Sequence, residues 1–200
     1  VEPGEPGGFA GAWEGDVDTA FLNNNGFGFY NAVVKGGWSG IWRLAEKGRL
    51  EFKVPVRYQL FAAAASVDDN RSGPVASVGA FWRQRFPGMI ATIGANADYL
   101  LASGKNYVAL TAGIPVSLQF ENVFWKTGLS VSLEAQNIAF TESSTDRSDQ
   151  RLSAGIGLRR AWGRRLSTGL DYAFQRNSST VDAADYSKHV VTLSIALEVL

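Results

Sequence analysis

Apolar and polar residues alternate at every second position over most of this 200-residue chain. The pattern is plain in VSLQFENVFWKTGLSVSLEAQ, residues 116–136, where Val116 and Leu118 hold apolar places and the alternation resumes at Leu129. Successive side chains of a β-strand point to opposite faces, so a period of two predicts strands with one apolar face. The polar pair Glu121–Asn122 predicts a turn between two such strands.

The same alternation predicts ten strands along the chain. Residues 28–44 are interpreted as one long strand, with the Gly36-Gly37 pair as a bend or bulge. Short turns at EKG, FPG, EN and WGRR interleave with longer polar links at 67–74, 141–150 and 177–187. Several strands reach or exceed the roughly 9 to 11 tilted residues that cross a bilayer. This alternation of long loops and short turns is typical of outer-membrane barrels.

The fold predicted from these patterns is all-β: a closed, antiparallel, up-and-down transmembrane β-barrel of about ten strands. Closure is expected because an open strand edge in hydrocarbon leaves its N–H and C=O groups unsatisfied. We expect residues 1–8 to form an N-terminal extension and residues 9–200 to form the barrel. A soluble barrel or sandwich with its large rings in the core is the alternative.

Aromatic residues cluster near the strand ends and predict two girdles at the lipid interfaces, where amphipathic rings lie at headgroup level. Four tryptophans fall near the short turns, and three further rings fall near the opposite ends. The predicted interface residues are Trp42, Trp82, Trp125, Trp162, Tyr99, Phe140 and Phe174.

The opposite face of the strands carries the charged residues and is predicted to line the barrel interior. Its acidic and basic walls are interpreted either as a transverse field across a narrow passage or as an ion-pair network that plugs the bore. The predicted lumen-lining residues are Glu14, Asp16, Asp18, Lys35, Arg43, Glu51, Lys53, Arg57, Arg83, Arg85, Lys126, Glu134, Arg159 and Asp171.

Composition removes several other functions from consideration. Nineteen lysines plus arginines balance nineteen aspartates plus glutamates, so no net field favours nucleic acid. The chain has no cysteine and no uninterrupted span of about 20 apolar residues, and its start lacks the pattern of a signal peptide. We expect no cofactor and no resident metal; VDDN and DRSD are interpreted as solvated turns or weak surface-cation ligands.

Enzymatic activity is not expected. The single histidine, His189, is the one candidate base, and it would need carboxylates from the loops, such as Asp68, Asp69, Asp182 or Asp185. An outer-membrane hydrolase is therefore the least favoured of the functions considered, after a narrow channel and a plugged structural barrel.

The architecture resembles that of outer-membrane β-barrels of Gram-negative bacteria over nearly the whole chain. The final hairpin, GLDYAFQRNSSTVDAADYSKHVVTLSIALEVL, resembles the last hairpin of barrels of the polysaccharide-export and surface lipoprotein assembly modifier types. This resemblance implies a bacterial outer-membrane location and membrane lipids as partners, with lipopolysaccharide as a candidate. It also implies a role as a channel or as the membrane part of an export or assembly complex, with a partner protein in that complex.

Overall fold

The computed structural model describes residues 7–23, 27–61, 70–163 and 165–197. Their side chains are described except at positions 16–32. The strands are β1 (Phe9–Asn23), β2 (Phe27–Arg43), β3 (Gly48–Phe61), β4 (Gly73–Phe86), β5 (Met89–Leu100), β6 (Ala109–Phe124), β7 (Thr127–Phe140), β8 (Ser148–Trp162), β9 (Leu166–Ser179) and β10 (Tyr186–Leu197). Two three-residue 3-10 turns, Lys105–Tyr107 and Asp182–Ala184, lie in loops.

All ten strands form one antiparallel sheet in the order β1 to β10, so each strand pairs with its neighbours in the chain. The predicted all-β, ten-stranded, up-and-down arrangement is confirmed. Within the described residues β1 pairs only with β2 and β10 pairs only with β9. The sheet is therefore open between these two edges, and the predicted closure is not observed. No helix among the described residues is long and apolar enough to span a bilayer.

The register separates the side chains into two faces. Lys35 lies opposite Arg57, and Val34 lies opposite Tyr58, so like residues meet across neighbouring strands. We call these surfaces the charged face and the apolar face. The predicted alternation is thus expressed as two chemically different surfaces on one sheet.

The apolar face is not covered by any other part of the described chain. Ile114 is 58% exposed and Val191 is 70% exposed, and similar values recur on the other strands. The total accessible surface is 13381 Å². A compact soluble protein of this mass exposes about 9,200 Å². The side chains of the apolar face are therefore not buried against other parts of the described chain.

The turn between β6 and β7 lies four residues beyond its predicted place. β6 continues through Glu121–Asn122 to Phe124, and the register shifts in this segment. The turn residues are Trp125 and Lys126, with φ of 45° and 59°. These values are typical of a two-residue I′ hairpin turn. Asn122, with φ of 56°, marks the irregularity in β6, so the predicted turn at Glu121–Asn122 is wrong.

The Gly36-Gly37 pair does not interrupt β2. The register runs without a shift through both residues, which confirms one long strand but not the predicted bulge. A Cβ on Gly37 would lie 2.5 Å from the Cα of Pro55, whereas one on Gly36 would meet only the carbonyl of Glu14 at 3.5 Å. Gly37 therefore allows a close approach of two backbones that no larger residue permits.

Candidate functional site: the charged face and its loop rim

Thirteen of the fourteen residues predicted to line a lumen fall on the charged face by register. In β1, for example, Glu14 lies opposite Gly37 and Asp16 lies opposite Lys35. The exception is Lys126, which lies in the β6–β7 turn and not on a strand, so its predicted place on the lumen wall is wrong. The lining role of the other residues stays a prediction, because the sheet is open.

Charges on this face form ion pairs both within a strand and between strands. The Glu51 carboxylate accepts a hydrogen bond from Arg49 Nε at 2.7 Å, and an Arg83 guanidinium nitrogen lies 3.7 Å away. Farther along the face, Arg57 and Asp98 lie 3.7 Å apart. Such partly exposed pairs contribute at most about 1 kcal/mol each. The observed pairs lie within β3 or join β3 to β4 and β5, and Arg85 of β4 lies near Glu121 of β6.

Glycines and short polar residues occupy part of the charged face on β7 to β9, beside the longer Arg151 and Arg159 of β8. The Asp171 carboxylate and the Ser130 hydroxyl lie over Gly157, and the Ser132 hydroxyl lies over Gly155. Because the glycines have no side chains, their neighbours lie along the sheet and do not project from it. The wall is therefore thin around Gly155 and Gly157, while the wall formed by β2 to β4 carries most of the long cationic side chains.

Buried and half-buried apolar residues of β4 to β7 form an inner apolar cluster at the loop end of the charged face. Val75, Leu100, Ala109 and Phe140 occupy one row of the register, and the buried Ile138 lies on the same face in β7. Phe140 therefore faces away from the apolar surface, and its predicted place in the lipid-interface girdle is wrong. Successive side chains still alternate between the two faces here, but apolar residues occupy the charged-face positions at the loop ends of β4 to β7.

A buried carboxylate beside this cluster joins two loops. Asp149 in β8 is 0% exposed and accepts hydrogen bonds from Arg147 Nε at 2.9 Å and an Arg147 terminal nitrogen at 2.6 Å. It also accepts from Asn177 Nδ2 at 2.9 Å and from the Ser179 hydroxyl at 2.6 Å. We call Arg147, Asp149, Asn177 and Ser179 the loop latch. Asn177 also donates to the carbonyl of Ala184, which ties the β9–β10 loop to the same group.

The latch holds Asp149 ionised. Burial raises the pKa of Asp149, but the hydrogen bonds from Arg147, Ser179 and Asn177 outweigh that effect and lower the pKa below its usual range. The hydrogen bond to Asp149 likewise raises the pKa of Arg147, whose guanidinium also lies over the Phe140 ring at 4.2 Å. Asp149 belongs to the DRSD segment, and its carboxylate is buried against Arg147, whereas Asp146 of the same segment is exposed.

Most of the predicted girdle residues lie on the apolar face. Trp42 and Trp82 share a row near the short turns, and Trp162 ends β8 with its ring under Arg160 at 3.8 Å. Trp125 lies in the β6–β7 turn and is strongly exposed. Tyr99 and Phe174 lie on the apolar face nearer the loop ends.

His189 also lies on the apolar face, close to Tyr172 and Phe174. Its Nδ1 lies 2.8 Å from the Tyr172 hydroxyl, and its ring centroid lies 5.0 Å from that of Phe174. The predicted carboxylates Asp68 and Asp69, like most of the VDDN segment, fall outside the described residues. Within the described ranges, no three His, Cys, Asp or Glu side chains come together as metal ligands.

The loop latch could not be read from the sequence, because its four side chains come from one loop and two strands that are separated along the chain. The one available signal was the Arg-Ser-Asp spacing, which puts Arg147 and Asp149 on the same side of an extended segment. Comparison of the chain with protein-family models and with curated proteins finds no match.

Proposed function

We propose that this chain is an integral outer-membrane β-barrel whose charged face lines a narrow passage. The observation that carries the proposal is the exposed apolar face, which extends across the sheet and has no partner in the described chain. A contiguous apolar surface of this size is typical of contact with lipid or another apolar partner. Acyl chains would cover the apolar face, while the charged face would remain hydrated. The outer membrane is the bacterial membrane that strand-built barrels span.

Closure of β1 on β10 is the second part of the proposal, because hydrocarbon does not tolerate open edges. In the observed register of the sheet, Ala12 in β1 lies in the same row as Tyr186 in β10. If β1 and β10 paired along that row, only a few residues of the two strands would lie opposite each other. A strand tilt of about 40° requires a shift of about 12 residues around ten strands. That shift places Gly15 opposite Ile195, with both on the apolar face.

The expected bore favours a passage over a filled core. Ten strands spaced about 4.8 Å apart and tilted by about 40° give a backbone diameter of about 20 Å. Eight-stranded barrels are just wide enough to be filled by side chains. Here the wall around Gly155 and Gly157 contributes little volume, so space remains beside the long cations of the facing wall. A narrow pore, or the membrane part of an export or assembly complex, fits this arrangement.

A plugged structural barrel is the second candidate, and the inner apolar cluster favours it. Val75 and Ile138 are buried on the charged face at the loop end, where they would narrow the bore. The cluster covers the part of the face formed by β4 to β7. Such a barrel would anchor loops or a partner subunit and would conduct nothing.

Paired single-cysteine variants test the orientation of the two faces, since the native chain has no cysteine. Val131→Cys lies on the apolar face and Ser132→Cys on the charged face of the same strand. After reconstitution into vesicles, a nitroxide label attached at position 131 should be accessible to oxygen, and one attached at position 132 should be accessible to a water-soluble nickel chelate. Equal accessibility of both positions to the nickel chelate would refute lipid contact.

Disulfide trapping tests closure. Gly15→Cys/Ile195→Cys should cross-link within one chain, and more completely than the shifted pairs Gly15→Cys/Leu193→Cys and Gly15→Cys/Leu197→Cys. Absence of an intrachain product from all three pairs would rule out β1–β10 pairing, and a dimeric product would indicate pairing between copies.

Planar-bilayer recordings separate the passage from the plug. A passage predicts discrete current steps after insertion, whereas a plugged barrel predicts silent traces at both polarities. Insertion itself is verified in the same preparation by protease protection of the strands.

A further inference from the structure

Three arginines lie directly opposite one another on the charged face near the short turns. The register pairs Arg43 with Arg49 and Arg49 with Arg83, so one row crosses β2, β3 and β4. Directly opposed positions have Cβ atoms about 4.5–5.5 Å apart, and like charges placed there destabilise a sheet. A row of this kind departs from the local rule for stable pairing, and departures of this type are expected at functional or strained sites.

Two more cations border the row. Arg85 follows on β4, and its backbone N–H donates to the carbonyl of Lys47 in the β2–β3 turn at 2.8 Å. Together with the row they line a cavity of about 260 Å³, which we call the arginine cleft. Besides these five cations, Glu46 and Ile90 also line the cleft. Its volume is several times the roughly 30 Å³ share of one water molecule, so an oxyanion and part of its hydration fit.

Cations outnumber carboxylates among the described ion pairs of the cleft and the residues beside them. Glu51 pairs with Arg49 at 2.6 Å and lies 3.7 Å from Arg83, so one carboxylate serves two arginines. Arg85 lies 3.7 Å from Glu121, and both of those side chains are well exposed. With Glu46, these three carboxylates lie beside four cations of the cleft, Lys47, Arg49, Arg83 and Arg85. The local field is therefore positive in a chain whose formal net charge is +0.

We infer that the arginine cleft binds polyvalent oxyanions of the phosphate type. Guanidinium groups are planar, permanently charged and able to hold oxyanions through two parallel N–H···O bonds. Several guanidiniums on one row would engage successive oxygens of one anion. A cationic cleft at the short-turn mouth would also make the proposed passage anion-selective. This second consequence rests on the proposed function.

Calorimetric titration of the detergent-solubilised protein with sodium tripolyphosphate tests the site without requiring a pore. The test variant is Arg83→Gln/Arg85→Gln, which leaves Glu51 its closer partner Arg49. Its affinity for tripolyphosphate should fall at least 10-fold. Absence of binding to the native chain at millimolar concentration, or equal binding by the variant, would overturn the inference.

Arg57→Gln is the matched control. Arg57 is also a charged-face arginine with an acidic neighbour, but it lies eight residues from Arg49 along β3, about 26 Å away. Its loss should change the affinity less than twofold, and a loss equal to that of the double variant would assign binding to general charge. Should the double variant fail to show native mobility on a gel, Arg85→Gln alone, at an exposed pair, replaces it with an expected several-fold loss.

Reversal potentials in planar bilayers under a salt gradient give the second readout. The native passage should favour chloride over potassium, and the double variant should lose that preference. Current steps in the native protein whose reversal potential shows a preference for potassium would contradict the inference and would support the passage. Silent traces would refute the passage, and the calorimetric result would still decide whether the cleft binds anions.

Discussion

Replacing Asp149 by asparagine tests whether the loop latch stabilises the folded protein. The substitution keeps the shape of the side chain and removes its charge. Asp149 is 0% exposed and accepts four hydrogen bonds, two of them from the guanidinium of Arg147. In the variant, the amide nitrogen would face other donors, from Arg147 or from Asn177 and Ser179, and the arginine charge would lose its counter-ion.

The expected cost follows from this geometry. Removing one partner of a buried ion pair costs about 3–5 kcal/mol. The pair lies at the loop rim and Arg147 is partly exposed, so we expect the lower part of that range, about 3 kcal/mol. With a urea m-value of about 2–3 kcal/mol/M, the unfolding midpoint should fall by about 1–1.5 M. Tryptophan fluorescence reports unfolding, because the chain has six tryptophans.

Asp182→Asn is the matched control, since Asp182 is an exposed carboxylate in the β9–β10 loop. Its free energy of unfolding should stay within about 0.5 kcal/mol of the native value. A double-mutant cycle with Arg147→Gln should give a coupling energy above about 1 kcal/mol. The account of the latch is wrong if Asp149→Asn unfolds like the native chain or if the cycle shows no coupling.

Three further outcomes are expected. The pKa of Asp149 is lowered by folding, so its contribution to stability should be complete above about pH 4 and be lost as the pH falls further; Asp149→Asn should lack this loss in acid titrations of unfolding. Gly37→Ala should destabilise the sheet by about 1–3 kcal/mol, because its Cβ would meet the backbone of β3, while Gly36→Ala should change urea stability by less than about 1 kcal/mol. Val131→Arg should cost about 2–4 kcal/mol in lipid vesicles, and Ser132→Arg on the charged face should be tolerated; equal costs would argue against lipid on one face.

The sequence predicts the strands well because one physical constraint acts at every position. Each strand must present an apolar face and a polar face, so alternation reveals strand number, bounds and most face assignments. The error at Phe140 has a local cause. Its inner position in β7 holds an apolar residue because Val75, Leu100 and Ala109 build a small apolar cluster there. Ring chemistry alone does not distinguish that cluster from a lipid interface.

The β6–β7 turn shows a second limit of the sequence. Glu121–Asn122 has the composition of a turn, whereas Trp125 and Lys126 rarely adopt the positive φ that they have here. The pairing of Phe124 with Thr127 determines the outcome and is a property of two strands together. The buried position of Asp149 could likewise not be predicted from the sequence, because it depends on hydrogen-bond donors about thirty residues farther along the chain. The openness of the sheet between β1 and β10 is also beyond what alternation within single strands predicts.

The sequential strand order has a consequence for how this protein assembles. Every observed pairing joins strands that are adjacent in the chain, so each hairpin can form as soon as its own residues are available. The seam proposed between β1 and β10 is the exception, because its halves lie at opposite ends of the polypeptide and meet only after the other nine pairings exist. Biogenesis would therefore finish at that seam, and an agent that captured either free edge would trap the protein one step short of its final shape.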